Sequence, residues 1–337
     1  MSAPGAEHAL RPGREGGAPA PPRPRLVVVA GPTAAGKSAL GLRLARRFDG
    51  EIVNADSMQV YRHLDVGTAK PGPAERAAVV HHLLDVAEPD EQFNAGRYAE
   101  LAHAAIADIV RRGRRPFLVG GTGLYLRAVL EGLLAGAGDP AERARLEAEQ
   151  REAAAEGDPE RLHRRLRALD PEEGARIHPR DVKRTVRALE LLGAAGRRPS
   201  ELRREHAFGE RRYERLYLVV DPGREALAER IDRRCEAMVA GGLLQELRRL
   251  RELGYGPELA SMQAIGYRHM QPVLDGLDTL ANVLESMKRD TRQYARRQRT
   301  WFRGVPDAVW VDPDDWDGIE ARVAAFFAAD QPAPAVV

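Results

Sequence analysis

The 337-residue chain has one cysteine, Cys235, and only four lysines (Lys37, Lys70, Lys183 and Lys288) among its 52 cationic side chains. A single thiol excludes an intramolecular disulfide and suits a reducing compartment, so the chain is expected to be cytoplasmic. Arg233 and Arg234 precede Cys235, but no base or motif accompanies it, and it reads as a passive thiol. No run approaches 18 apolar residues, which excludes a membrane-spanning helix. The first 24 residues, rich in Pro, Gly and Ala, lack the apolar segment of a secretory signal and read as a disordered extension. Two further absences concern nucleotides. No Asn-Lys-x-Asp stretch that would read guanine occurs. The apolar strand ending in an acid that a P-loop nucleotidase uses for Mg²⁺ is also poorly supplied. "RPFLVGG" (115–121) ends in glycines, and "RLYLVVD" (215–221) offers Asp221 only far downstream.

What is present begins at residue 25. The apolar run "RLVVVA" leads into "GPTAAGKS" (31–38), with Gly31, Gly36, Lys37 and Ser38 at the spacing of a phosphate-binding loop. "KSALGLRLARRF" (37–48) then has apolar residues at helical spacing, so the loop joins a strand to a helix. Backbone N–H groups and the helix N-terminus face an anion there. Lys37 reaches its outer phosphates, and the Ser38 hydroxyl can hold Mg²⁺. The loop alone does not say whose phosphates these are.

"EIVNAD" (51–56), "HHLLDV" (81–86), "RPFLVG" (115–120), "RLYLVV" (215–220) and "AVWVD" (308–312) read as strands between helical patterns, the alternation of a doubly wound parallel α/β sheet. From 135 to 210, Ala, Glu and Arg dominate and helices follow one another, as in a helical insertion. In "DPEEGARI" (170–177), Asp170 is placed to cap, with Pro171 at the first helical position and Glu173 two on. The expected organisation is an extension (1–24), an α/β core (25–134 and 211–325) and an inserted helical domain (135–210).

Several groups could do chemistry. Asp56 follows the second strand, so it should share a crevice with the loop at the carboxyl ends of the strands. It could ligate Mg²⁺ or take a proton, or simply cap a turn. "VGGTGLY" (119–125) is a second glycine-rich turn with Thr122 at its centre. Arg230 and Arg234 share one helical face and could neutralise a diphosphate, or could be ordinary surface arginines. His81 and His82 on a strand point to opposite faces, which argues against a metal site with Asp85. In "KRDTRQYARRQRTWFR" (288–303), seven cations accompany one anion. Arg292, Arg296, Arg299 and Arg303 form one helical stripe interleaved with Tyr294, Trp301 and Phe302, which suits RNA or a solvated basic face.

Together "GPTAAGKS", "NADSMQVYRHLDVGTAKP", "HHLLDV", "LVGGTGLYLRAVLEGL", "RIHPRDVKRTVRALE", "AIGYRH" and "TRQYARRQRTWFR" resemble, in order from about 25 to 312, the tRNA dimethylallyltransferase (tRNA isopentenyltransferase) family. The resemblance implies a P-loop NTPase-like parallel-sheet core with a helical insertion domain. The loop would hold dimethylallyl diphosphate rather than a nucleotide, and the acceptor would be the N6 amine of the adenosine 3′ of the anticodon. It further implies that Gly31, Thr33, Ala34, Ala35, Gly36, Lys37 and Ser38 bind the diphosphate, with Mg²⁺ at Ser38. Asp56 would accept the N6 proton, and Arg234 would stabilise the departing diphosphate together with Thr33. Asp56, Ser57, Met58 and Gln59, then Thr122, then Lys183, Arg184 and Arg187 would meet the tRNA anticodon loop. Ala264, Ile265, Gly266, Tyr267, Arg268 and His269 would do the same, and the basic stripe adds Arg292 and Arg296. Ser38 stands where many members have Thr, and "QFNAGRY" (92–98) departs from the usual Ser-containing version. A complete site in one chain implies a monomer. The competing readings are prenyl transfer to a free adenine nucleotide, a P-loop kinase, and a non-catalytic RNA-binding module.

Overall fold

The computed structural model describes residues 23–133, 139–206 and 212–329. Its sheet is built from β1 (Arg25–Ala30), β2 (Gly50–Asn54), β3 (His81–His82), β4 (Arg115–Gly120), β5 (Glu214–Val220) and β6 (Val309–Val311). The strand order is β3-β2-β4-β1-β5-β6, and every pairing is parallel. Leu26, Val27, Val28, Val29 and Ala30 are fully buried, as expected for a parallel strand covered by helices on both faces. Of the first four helices, α1 (Lys37–Arg47), α3 (Ala95–Arg111) and α4 (Gly123–Glu131) pack against the sheet, whereas the short α2 (Pro73–Ala78) buries none of its residues.

The expected helix at 98–113 begins earlier, at Ala95, because the Asn94 side chain accepts from the N–H groups of Gly96 and Arg97, both at 3.0 Å. The expected strand at 81–86 is shorter than its apolar pattern suggested. Only His81 and His82 pair with β2, and Leu83 and Asp85 have left-handed φ values of 64° and 57° that end the strand.

The helical run follows as α5 (Pro140–Ala155), α6 (Arg161–Leu169), α7 (Pro171–Arg176), α8 (Val182–Ala195) and α9 (Pro199–His206). Leu146, Leu162, Leu166, Ile177, Val186, Ala188 and Leu189 form its own apolar cluster, separate from that of the sheet. Asp170 caps α7 as expected, its carboxylate accepting from Glu173 N at 3.1 Å. Glu173 turns away from the cap and pairs with Arg176 and Arg203. The expected boundaries of the insertion fall at the edges of residues 134–138 and 207–211, outside the described residues, as do 1–22 of the proposed extension.

The chain then returns to the sheet. α10 (Arg224–Ala240), α11 (Leu243–Glu252), α12 (Tyr267–Leu274), the 24-residue α13 (Leu280–Arg303) and α14 (Trp316–Ala328) complete the core. No described helix is long and apolar enough to cross a membrane. β1 feeds α1 and then β2, whereas β4 inserts between them in the sheet. The loops after β1, β4 and β2 therefore open side by side at one edge of the sheet, where ligands of open α/β folds bind.

Candidate active site

The loop after β1 has the conformation that its glycines allow. Gly36 has φ 101°, in the left-handed region, and α1 starts at the next residue. Ala34 also lies there, at φ 64°, a conformation that costs a non-glycine residue about 1 kcal/mol and that persists where the surroundings enforce it. Ala35 is buried, and its N–H donates to Pro32 O at 3.3 Å, closing the turn. Lys37 Nζ donates to Pro32 O at 2.6 Å. Burial of this ammonium, with the Arg234 guanidinium nearby, pulls its pKa down to about 7, and the Asp56 charge offsets only part of the effect. A lysine held in this way is short of anionic partners, and a phosphate would supply them. Ser38 is exposed in the first turn of α1.

Asp56 stands two residues past β2. Its Oδ1 accepts from Met58 N at 2.9 Å and Gln59 N at 3.4 Å. Among the described residues no hydrogen bond engages Oδ2, so one oxygen fixes the side chain and the other is left for chemistry. Thr122 begins α4 but does not cap it. Its Oγ1 accepts instead from Ser57 N at 2.9 Å and lies 3.3 Å from Ser57 Oγ. The second glycine turn is thereby tied to the segment that carries Asp56.

The two candidate arginines of α10 and their neighbour Arg233 separate. Arg234 is turned inward and donates to Thr68 O at 3.0 Å. Burial lowers its pKa, with the Asp56 charge opposing the shift. Arg230 lies against the phosphate loop, donating to Ala35 O at 3.4 Å and standing 3.5 Å from Asp314. Arg233 is exposed and reaches only Glu229, at 3.6 Å. Lys37, Asp56 and Arg234 thus share one electrostatic environment, although they come from three loops and helices. A narrow cleft beside them is lined by Lys37, Ser38, Asn54, Asp56, Gln59 and Gly120.

The residues expected to touch RNA sort by exposure. Lys183, Arg184 and Arg268 are exposed, Arg187 is half-buried beside Glu190 at 2.9 Å, and Ser57, Met58, Ala264 and Ile265 are half-buried. Gln59, Gly266, Tyr267 and His269 are buried instead. Gln59 Nε2 donates to the carbonyls of Thr68 (3.1 Å) and Ala69 (3.3 Å), and His269 Nε2 lies 3.2 Å from Asp290. Tyr267 is fully buried, and its hydroxyl donates to Glu246 at 2.5 Å. Its side chain is internal, contrary to the contact expected of it.

The basic stripe of α13 is also less uniform than its spacing implied. Arg296 and Arg303 are exposed, whereas Arg292 pairs with Asp232 and Arg299 with Asp221 at 2.8 Å. The acidic partners come from other elements, which is why the local sequence lacked them. The pairing also engages Asp221, the one acid that a nucleotidase reading could have used. Cys235 is buried beside Thr291, with Sγ 3.7 Å from its hydroxyl, and burial raises the thiol pKa. His82 pairs with Glu51 at 2.7 Å, and the described residues contain no cluster of His, Cys, Asp and Glu able to hold a metal.

Two supporting residues were missed. Glu246 accepts from the N–H groups of Asp65 (2.9 Å), Val66 (2.7 Å) and Gly67 (3.0 Å), and so fixes the loop whose Thr68 carbonyl receives Arg234. Gln298 of α13 accepts from Thr33 N at 2.8 Å and donates to Gly121 O at 2.9 Å. Nothing local marks Glu246. Gln298 could have been found, because it falls on the buried face of a helix where a side-chain amide must have partners.

Comparison with known proteins agrees with this arrangement. A family model described as IPP transferase matches residues 59–305. A tRNA dimethylallyltransferase of Anaeromyxobacter sp. (strain Fw109-5) is 54% identical over 301 residues, covering 89% of this chain and 98% of that protein. The tRNA dimethylallyltransferase 1 of Pelobacter propionicus is 47% identical over 311 residues, covering 91% and 99%. Among solved structures, the tRNA isopentenylpyrophosphate transferase of Bacillus halodurans superposes with a TM-score of 0.65 at 38% identity, covering 90% of this chain and 96% of its own. A eukaryotic dimethylallyltransferase acting on tRNA reaches a TM-score of 0.74 at 30% identity, covering 92% and 80%. With its sheet order, its phosphate loop and this similarity over nine-tenths of its length, the chain belongs to the tRNA dimethylallyltransferase (IPP transferase) family.

Proposed function

We propose that this enzyme transfers a dimethylallyl group from dimethylallyl diphosphate to the N6 amine of the adenosine 3′ of the anticodon in certain tRNAs. The observation that carries the reading is the convergence of Lys37, Arg234 and Asp56, two cations suited to a diphosphate beside a carboxylate suited to the acceptor's proton. N6 attacks C1 of the donor, the C1–O bond breaks, its electron pair leaves with the diphosphate, and Asp56 Oδ2 takes the N6 proton. The base must leave its stack to reach the cleft, at a cost of a few kcal/mol. The donor set at the loop fits Mg²⁺, a hard cation that takes the Ser38 hydroxyl, phosphate oxygens and water. When bound, it would offset charge on the diphosphate. All these groups lie in one chain, which supports a monomer, and the unpaired buried thiol suits the cytoplasm.

The test offers labelled dimethylallyl diphosphate and Mg²⁺ with unmodified tRNA, AMP or ATP. Label is expected in tRNA alone. Label in AMP or ATP would move the acceptor to a free nucleotide, and phosphate transfer from ATP without label would return the loop to a kinase. Within the site, Arg234→Gln is expected to lower turnover by about 10–100-fold through lost stabilisation of the leaving group. Arg233→Gln should stay within about twofold of wild type, as exposed positions usually do. The reverse ranking in steady-state assays would give the leaving-group role to Arg233.

A further inference from the structure

We propose that Gln298 is a positioning residue for the transfer, its amide setting the phosphate loop in register with the turn that carries the base. The inference rests on the reaction assigned above. The face of α13 that is buried against the core consists of Val283, Met287, Thr291, Ala295, Gln298 and Phe302. Gln298 is its one amide, and it is only 7% exposed. A buried amide left unpaired costs about 1–3 kcal/mol, and here both ends are paired, each to a different loop. Oε1 receives the Thr33 N–H after β1 (2.8 Å), and Nε2 gives its proton to the Gly121 carbonyl after β4 (2.9 Å).

From Gly121 the path continues through the next residue. Thr122 Oγ1 accepts from Ser57 N, and Ser57 adjoins Asp56. Donor loop and base are therefore joined by three hydrogen bonds and two short stretches of chain. The fit around the amide is close: a Cβ added at Gly121 would stand 2.6 Å from Nε2 and 3.5 Å from Lys37 Nζ. The neighbouring Arg299 pairs with Asp221 beyond β5, so α13 anchors Gln298 against the ends of β1, β4 and β5 together. One consequence is specific. The Thr33 N–H is withdrawn from the phosphate cradle, and Thr33 acts on the donor through its hydroxyl.

Such a bridge governs the distance between reacting groups more than the affinity for either substrate, and misplacement of about 1 Å can cost on the order of 100-fold in rate. The test replaces Gln298 by Met, which keeps length and volume but makes neither hydrogen bond. Single-turnover transfer to tRNA is measured with the dissociation constants of dimethylallyl diphosphate and tRNA. The expected result is a kcat about 30–100-fold below wild type, with both constants within about threefold. A kcat within about threefold of wild type overturns the proposal, as does a loss confined to donor affinity.

Gly121→Ala attacks the same bridge from the other side and does not depend on the folding of α13 with a foreign side chain. It should reproduce the loss in kcat. Combined with Gln298→Met, it should cost little beyond the larger single effect, because residues in one network are not additive. A wild-type rate in Gly121→Ala, or losses that multiply in the double variant, would dissolve the link. Failure of the wild-type enzyme itself to label tRNA would tell against the assigned reaction instead.

Discussion

Replacing Asp56 by Asn is expected to lower kcat by about 10²–10⁴-fold, the usual range for removing a general base. The tRNA dissociation constant should stay within about threefold. Asn is the informative substitution because its amide oxygen can keep the two bonds that hold the turn, from Met58 N and Gln59 N. What it removes is the oxygen proposed to accept the proton. The surrounding groups offer no substitute. Tyr98, Tyr125 and Tyr294 all feel the Asp56 charge, but burial first, and that charge second or third, raise the pKa of each phenol, which keeps it protonated. In the proposed reaction Lys37 and Arg234 serve the anionic end of the donor. An exocyclic adenine amine is a poor nucleophile until it sheds its proton, so the barrier should rise by the full contribution of the base. Rapid-quench single turnovers and filter binding on the same variant separate the two quantities. If turnover and binding fall together, Asp56 is a tRNA contact and the proton goes elsewhere.

How much of this was legible beforehand depends on whether the information is local. The phosphate loop and β1 were readable because a buried β-branched run, two glycines and Lys37 lie within fourteen residues. The parallel sheet and the helical insertion followed from alternation and composition, which survive without knowledge of tertiary contacts. Asp56 was placed correctly by one rule, that strand ends share a crevice. The readings that changed depend on partners distant in sequence. The stripe of α13 looked unpaired because Asp232 and Asp221 lie about 60 and 80 residues upstream. Tyr267 was expected to meet tRNA as part of a motif, yet Glu246 takes its hydroxyl and Gly67 leaves room for its ring. The strand at 81–86 stopped short because the backbone at Leu83 and Asp85 turns left-handed, which apolar periodicity does not encode. Gln298 joins residues 265 and 177 positions away. An amide on a helical face says only that partners exist, not which.

Lys37→Met should have two effects of opposite sign. Transfer should fall by about 10²–10³-fold, because the ammonium proposed to meet the diphosphate as it departs is gone and developing charge in a water-poor site is costly. The ligand-free protein should become more stable at neutral pH. The sign follows from the pKa. In the unfolded chain the lysine titrates at its ordinary 10.5, whereas burial in the folded protein brings it to about 7. The folded state therefore binds this proton more weakly than the unfolded state. The destabilisation is complete below pH 7, shrinks as pH climbs from 7 towards 10.5, and vanishes above that. With allowance for solvent access, removing the lysine should yield on the order of 2–3 kcal/mol at pH 6 and progressively less by pH 9.5. Donor binding reverses the balance, since a diphosphate supplies the missing counter-charge and restores the proton. Wild-type enzyme should then take up nearly one proton on binding dimethylallyl diphosphate at pH 8, and Lys37→Met none, as read by calorimetry in buffers of different ionisation enthalpy. Thermal melts of both proteins at pH 6 and pH 9.5 complete the comparison. An equal stability gap at the two pH values, with no proton uptake by wild type, would mean that Lys37 already has its counter-charge in the ligand-free protein. The strain would then lie elsewhere, and the loop could not be regarded as a site held ready at a cost in stability for an anion that repays it on binding.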